Sequence, residues 1–330
     1  MTGIYLRPGS TNMNSKIAIV VISAIVVIAC LATYMLYNPG DQGDRLKEEI
    51  KVGDYYEMSY TLDENLEGYM SVSHFIEEYF VDLDDIVGGV EDRVEFKGEE
   101  IDCIRFTNLS DEICYVNADS GFIYKTVKGT GDDRIVKQVT DTNLDIDSVP
   151  GDDPPQVGTF VIVKHNEPPY GFTTHYEVES IDGRTIYGKT TVSSLTDSVR
   201  YQVASVDDGN IDFKVNSVEL SGDRSYFLQG ISLESFLEYV SKDAVKTDEK
   251  DERIETAFGI RDTTVYTYKI DLVDDGLEGS SAYKLWVGKN DVIYCVEYSY
   301  TVDYYDDEED YLETDVGIEI YKLIGTNLFA

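Results

Sequence analysis

Hydrophobic and polar residues alternate over much of the chain after residue 50, which is typical of strands with one buried face and one wet face. Runs rich in Val, Ile, Thr and Tyr cover residues 173–181, 185–192, 199–206, 211–220 and 316–324. An Asp-Gly pair at 182–183 and the segment 207–210 separate such runs and indicate hairpin turns. The pattern therefore predicts mostly antiparallel β-sheet.

Two segments replace this alternation with the spacing of an amphipathic helix. The first apolar stripe covers residues 75–87, and the second covers residues 233–244 after Ser232, a candidate N-cap. A strand–turn–strand segment follows each helix, and residues 113–124 align without gaps on residues 283–294. The expected fold class is α+β, mostly antiparallel β, with two related sheet-plus-one-helix units. Chance similarity between hairpins is the alternative.

An apolar stretch without charges covers residues 17–37. As a helix it would be about 31 Å long, which matches a hydrocarbon core of about 30 Å. Arg7 and Lys16 precede it, and basic residues before a span place the N-terminus inside. The expectation is an N-terminal transmembrane helix with a cytoplasmic tail at 1–16. Residues 38–330 would then lie outside a single-pass cell-membrane protein.

Two alternatives to an uncleaved anchor stay open at this stage. A cleaved signal peptide is one, although its apolar region is typically about 7–15 residues long. A lipoprotein with Cys30 as the lipidated residue is the other, although residues 31–37 stay mostly apolar. All three hypotheses place the rest of the chain outside the membrane.

Composition shifts divide the remaining chain. Residues 38–50 form a polar tether, and residues 141–155 are rich in Pro, Gly and Asp, which is typical of a linker. The predicted domains are a first α+β unit at 51–140 and a second, larger α+β unit at 156–330.

Acidic residues dominate the charge. The chain has 64 Asp and Glu against 27 Lys and Arg, for a net charge of -37, and every acidic residue lies after residue 40. Nucleic acid is excluded as an ordinary partner, because phosphate neutralisation requires a basic face. Disorder is also not expected, since 42% hydrophobic and 12% aromatic content can form packed cores.

The cysteines suggest one covalent link. Cys103 and Cys114 flank a turn at 107–110, and in a simple hairpin they would lie opposite each other. Opposed Cα atoms in a non-hydrogen-bonded pair are about 4.5 Å apart, within disulfide range. We therefore predict a Cys103–Cys114 disulfide, with two buried thiols as the alternative. Asn108 lies in the only Asn-x-Ser/Thr sequon and is a candidate glycosylation site.

Catalytic and metal-binding patterns are weak. The three His residues form no known ligand pattern, and no nucleophile elbow, P-loop or dinucleotide fingerprint occurs. No catalytic residues, cofactor or metal site are predicted, and an enzyme is not the favoured class. The weak Ca²⁺ candidates, which lack EF-hand spacing, are Asp306, Asp307, Glu309 and Asp310.

A Tyr-rich strand suggests a binding face at Tyr294, Tyr298 and Tyr300 for a protein or glycan partner, since exposed Tyr rings contribute contact area at low entropy cost. Half-buried strand packing is the alternative role. The leading functional hypothesis is a membrane-anchored acidic extracytoplasmic binding or structural surface module. The alternative is a carrier that holds an apolar ligand in a half-barrel, which requires a cavity of several hundred Å³ between helix and sheet.

Overall fold

A computed structural model describes residues 44–131, 134–148, 155–239, 244–274, 277–305 and 311–330. Residues 44–330 form one compact unit. Its backbone is organised as a sheet of 17 strands, in which every pairing is antiparallel. Three short α-helices and two 3₁₀ turns complete the described secondary structure.

The long first strand joins the parts of this sheet. Strand β1 (Tyr55–Ser71) pairs along one edge with β17 (Tyr311–Thr326). Its other edge pairs first with β10 (Ser198–Asp207) and then with β9 (Thr185–Ser194). Because β1 is 17 residues long, two partners fit end to end along that edge. Three sets of strands therefore meet at β1.

The N-terminal arm, β2 to β9, is a meander in which each strand pairs with the next. Its other strands are β2 (Val90–Phe96), β3 (Glu99–Thr107), β4 (Ile113–Val116), β5 (Ile123–Lys128), β6 (Ile135–Thr142), β7 (Phe160–Glu167) and β8 (Tyr170–Asp182). Hydrogen bonds also link β2 and the turn after it to β6. The Gln138 amide donates to the Glu95 carbonyl at 2.7 Å, and Lys97 Nζ donates to the Thr142 carbonyl at 2.6 Å. The arm is therefore curled.

Helix α1 (Val72–Tyr79) packs on the concave face of this arm. It begins after Ser71, whose Oγ accepts from the His74 amide at 3.1 Å, and it ends where Phe80 becomes extended. Phe75 is 1% exposed and packs against Tyr79 and Tyr176. The helix is thus one wall of a core formed with residues from β2 to β9.

The middle arm is β10, β11 (Asn210–Val215) and β12 (Val218–Gly222), followed by α2 (Arg224–Leu228) and α3 (Leu233–Tyr239). Asp223 caps α2 by accepting from the Tyr226 amide at 2.8 Å. The predicted N-cap at Ser232 is confirmed, because its Oγ accepts from the Ser235 amide at 3.4 Å.

The C-terminal arm is a second meander of β13 (Val245–Thr256), β14 (Gly259–Asp274), β15 (Leu277–Val287), β16 (Ile293–Tyr305) and β17. Among the described strands, β13 pairs only with β14, so it has an open edge. Its sequence is dense in Lys, Asp and Glu, and such charges oppose strand addition at an edge.

The expected two sheet-plus-one-helix units are wrong, although the expected antiparallel pairing is present. A single sheet contains the strands of both, because β1 pairs with β9, β10 and β17 from the second predicted unit. Strands β6 and β7 also pair across the predicted linker at 141–155, of which residues 149–154 lie outside the described residues. The domain boundaries at 51–140 and 156–330 stay a prediction.

None of the helices in the described ranges has the length and apolar character needed to span a membrane. The predicted span at 17–37, the tail at 1–16 and Cys30 all lie outside those ranges. The fold class with a transmembrane helix and the single-pass localisation derived from it are corrected on this finding.

The predicted disulfide is also wrong, because Cys103 and Cys114 are free buried thiols. Cys114 pairs across the hairpin with Phe106, three residues beyond Cys103. An odd shift in register turns a side chain to the opposite face of a sheet. Cys103 accordingly lies in the core that contacts α1, whereas Cys114 packs with Phe106 and Val116 in a separate cluster.

The turn between β3 and β4 explains this register. The side-chain oxygen of Asn108 accepts from the amides of Ser110 at 2.9 Å and Glu112 at 3.0 Å. These bonds stabilise a longer turn than the one assumed from the sequence. Asn108 is half-buried, with its amide group 3.4 Å from a Glu112 carboxylate oxygen, and its glycosylation stays a prediction.

Candidate binding cavity

A cavity of about 450 Å³ lies between α3 and the concave face of the C-terminal arm. Its apolar wall consists of Met58 from β1, Phe236 from α3, Ile270 from β14 and Val296 from β16. Gln229 and Gly230, which connect α2 to α3, close one side. The cavity therefore forms where β1, the two later helices and the C-terminal arm meet.

Four tyrosines supply most of the remaining wall: Tyr201, Tyr283, Tyr298 and Tyr321. The strand register places them, because Tyr283 lies opposite Tyr298 and Val296 lies opposite Tyr321. The rings of Tyr283 and Tyr298 are stacked with centroids 4.5 Å apart, and Phe236 meets Tyr283 edge-on at 5.3 Å. Offset and edge-on aromatic contacts of this kind are favourable, so these three rings stabilise one another in the wall of the cavity.

Glu319 is the one charged residue among the described residues that line the cavity. It lies in the same cross-strand row as Tyr298 and Tyr283, because the register pairs Tyr298 with Glu319. The Tyr321 hydroxyl donates to Glu319 Oε2 at 2.7 Å. No lysine or arginine in the described ranges forms an ion pair with Glu319. The carboxylate thus has one hydroxyl donor and no cationic partner.

The hydroxyls of Tyr321 and Tyr283, which lie near Glu319, keep their protons at neutral pH. Burial raises the pKa of Tyr321 far above its usual value, and Tyr170 and Glu319 raise it further. Burial likewise raises the pKa of Tyr283 to about 12, with smaller contributions from Tyr298 and Glu319. Protonated hydroxyls can donate hydrogen bonds, so the cavity offers several neutral donors and one carboxylate acceptor.

A second group of acidic residues lies farther along the same face. Tyr300 crosses Gly317, where a Cβ would come within 2.3 Å of the ring, and its hydroxyl donates to Glu64 Oε2 at 2.8 Å. Beside it, burial raises the pKa of Asp315 to about 7, and Glu64 and Glu313 add to that shift. One buried carboxylate oxygen of Asp315 has no hydrogen-bond partner in the described structure.

The pattern of β17 explains why the sequence did not indicate this site. Residues Glu313, Asp315 and Glu319 face the concave side with Tyr321, whereas Val316 and Ile318 are on the outer face and are 44% and 43% exposed. If the apolar side of an alternating strand is assumed to be the buried one, β17 is predicted with its two faces exchanged. The repeat of acidic residues at every second position was the available signal.

The tyrosines predicted as a binding face have different environments. Tyr298 lines the cavity, and Tyr300 is hydrogen-bonded to Glu64. Tyr294 is 2% exposed, and its hydroxyl donates to Asp44 Oδ2 at 2.5 Å. The structure therefore brings only Tyr298 to the cavity, and a protein or glycan partner for the three residues stays a prediction.

The weak Ca²⁺ candidates Asp306, Asp307, Glu309 and Asp310 lie outside the described residues. Within the described ranges, no three His, Cys, Asp or Glu side chains are arranged to hold a metal ion. His165 and His175, which flank a loop in the sequence, face opposite sides of the sheet, because the register pairs His165 with Phe172 and His175 with Ile162.

Comparison with known proteins identifies no family. No family model matches the chain, and no curated protein matches it. Among solved structures, the crystal structure of the outer membrane protein OprG from Pseudomonas aeruginosa aligns with 83% of this chain and 94% of its own length, at 6% sequence identity and a TM-score of 0.08. That TM-score is too low to indicate a common fold.

Proposed function

We propose that this protein is a carrier that binds a small organic molecule in the cavity between α3 and the sheet. The observation that carries the proposal is a cavity of about 450 Å³ with an apolar and aromatic wall. Small-molecule sites usually have volumes of about 300–1,000 Å³, a mostly apolar lining and a few polar groups that orient the ligand. The cavity has the size and the lining of such a site.

The polar groups of the wall are few. Gln229, Glu319 and the tyrosine hydroxyls are the hydrogen-bonding side chains among the described lining residues. They can orient a ligand, while Met58, Phe236 and Val296 contact its apolar part. This division favours an amphipathic ligand over a purely apolar one.

The lining favours binding over catalysis. In the described part of the wall, one carboxylate stands among Tyr, Gln and apolar residues, and no His, Cys, Ser or Lys contributes. Nucleophilic catalysis needs a nucleophile beside a base, and acid–base catalysis usually needs a second titrating group. A single carboxylate with tyrosine donors is suited to holding a ligand in place.

Titration of the full chain with N-phenyl-1-naphthylamine, a neutral probe that fluoresces in apolar surroundings, tests this proposal. We expect saturable binding that Ile270→Phe weakens at least tenfold, because the larger ring occupies the cavity. Val296→Phe provides a second filling variant. Ile318→Phe is the matched control, since Ile318 is 43% exposed on the outer face of the sheet. Equal affinity for all four proteins would refute the cavity as the binding site.

A further inference from the structure

We propose that the ligand of this cavity is an organic cation with an alkylated ammonium group. This inference rests on the proposed function and specifies its ligand class. It follows from the side chains that face the cavity: aromatic rings on several sides and one carboxylate with no cationic partner among the described residues. Rings of this kind attract a cation through their negatively charged faces, and sites for quaternary ammonium groups are commonly built from them.

The geometry places the rings and the carboxylate within reach of one ligand. Tyr283, Tyr298 and Glu319 occupy one cross-strand row on three neighbouring strands. Phe236 on α3 meets Tyr283 at 5.3 Å, and Tyr321 donates to Glu319 at 2.7 Å. A compact cation beside this row can contact the parts of these rings that line the cavity while it lies close to the carboxylate.

The charge of the surrounding face has the same sign. Glu64, Glu313 and Asp315 lie farther along the concave side of β1 and β17. The register also places two basic side chains on this face, Lys246 and Arg253, and each is paired with a carboxylate, Lys246 with Glu249 and Arg253 with Asp262. A net charge of -37 also raises the local concentration of cations near the protein. Anionic ligands are disfavoured by each of these features.

The small number of acceptors favours an alkylated ammonium over a primary amine. A primary ammonium has three N–H donors, each of which needs an acceptor when it is removed from water. The described wall offers a carboxylate that already accepts from Tyr321, together with a Gln and neutral hydroxyls. Methyl or larger alkyl groups on the nitrogen remove this requirement and contact the aromatic rings directly.

Benzyltrimethylammonium and (2,2-dimethylpropyl)benzene have the same shape and differ in one atom, nitrogen against carbon, and therefore in charge. We would measure how each displaces N-phenyl-1-naphthylamine from the full chain. The expected result is that the cation displaces the probe at a concentration at least tenfold lower than its neutral isostere does. Glu319→Gln should remove most of that preference while the probe still binds, which shows that the cavity is intact.

Glu297→Gln is the matched control, because this substitution removes the same charge from the opposite face of the sheet. On that face, Glu297 lies opposite Ile320 of β17. It should leave the preference unchanged.

Tyr298→Leu is a second variant, which removes an aromatic ring without changing charge. It should weaken displacement by the cation at least fivefold more than displacement by the isostere. Equal displacement by the two compounds overturns the cation proposal, whereas the proposal that the cavity binds a small molecule is unaffected. If the probe itself does not bind, the proposed function fails instead.

Discussion

Helices α1 and α3 both pack on a concave face of the same sheet, yet one completes a core and the other borders a cavity. Phe75 of α1 is 1% exposed and contacts the rings of Tyr79 and Tyr176. Phe236 of α3 is 8% exposed and faces a space of about 450 Å³. The same combination of helix and antiparallel strands thus gives two different interiors.

The polarity of each concave face accounts for the difference. In the N-terminal arm, the residues that meet under α1 are mostly apolar, and the rings of Phe96, Phe122 and Tyr124 contact one another with centroids 5.2–6.2 Å apart. In the C-terminal arm, Glu319 and Asp315 occupy the concave face of β17. Carboxylates cannot be packed against apolar groups without a large desolvation cost, so this face stays partly open. The contrast supports the proposed role of Glu319 in ligand binding.

The largest expected effect compares the two helices directly. Phe75→Ala should lower the free energy of unfolding by about 3–5 kcal/mol, the usual cost of removing a fully packed phenylalanine side chain. Phe236→Ala should cost about half as much, roughly 2 kcal/mol, because one side of that ring already lacks packing partners. Urea denaturation of both variants, followed by far-UV circular dichroism, measures the difference.

Leu237→Ala on the exposed side of α3 is the control for helix propensity, since Leu237 is 44% exposed. Its effect should be within about 0.5 kcal/mol of zero. Equal costs for Phe75→Ala and Phe236→Ala would mean that the ring of Phe236 is packed on all sides, which contradicts the comparison.

Asp315 allows a second, smaller test on the open side. Its pKa is raised to about 7, so the folded protein holds a proton on this carboxyl that the unfolded chain releases near pH 4. Folding of the wild type is therefore destabilised progressively as the pH rises from about 4 to about 7, and Asp315→Asn removes this effect. The variant should match the wild type near pH 4 and be more stable by roughly 1–2 kcal/mol above pH 7, a value reduced for solvent screening of a half-exposed carboxyl.

Urea midpoints for the two proteins at pH 4, 6 and 8 would measure this trend. Glu278→Gln, at an exposed carboxylate on β15, is the control and should stay close to the wild type at each pH. A difference of the same size at pH 4 and pH 8 would show that Asp315 acts through packing, not through its proton.

Local features of the fold were accessible from the sequence, and long-range pairing was not. Alternating runs and turn residues predicted strands in the segments 173–181 and 185–192, and Ser232 predicted the start of α3 correctly. The central role of β1 was missed, because its partners β9 and β17 lie more than 100 residues away. No local pattern specifies which strand a given edge will meet, so one sheet was divided into two.

The site was less accessible than the fold for a related reason. The sequence predicts Tyr298 as a binding residue, but it does not distinguish Glu319 from the other acidic residues, of which the chain has 64 in total. Only the pairing of β16 with β17 places the two side chains in one row. The apolar residues Val316 and Ile318 also predict the opposite orientation of β17, with Glu319 on the outer face, since apolar residues are usually expected on the buried face.

The cysteines give the smallest expected effect and compare the two arms once more. Cys103 lies in the core under α1 and Cys295 lies in the C-terminal arm, and burial raises the pKa of each thiol to about 11. Iodoacetamide reacts with thiolates, so neither residue should be alkylated at pH 8 in the folded protein, whereas both should react after unfolding in urea. Peptide mass spectrometry after each treatment measures the modified fraction.

The same peptides test the register of β3 and β4. Because Cys103 and Cys114 face opposite sides of the sheet, protein purified without reductant should yield both as separate, alkylatable peptides once it is unfolded. Addition of dithiothreitol should then leave the urea midpoint unchanged, since no covalent loop is present to restrict the unfolded chain. A linked peptide containing both cysteines would require a three-residue shift in the pairing of β3 with β4. That shift would turn one of the two thiols away from its present cluster, so the packing under α1 would have to change with it.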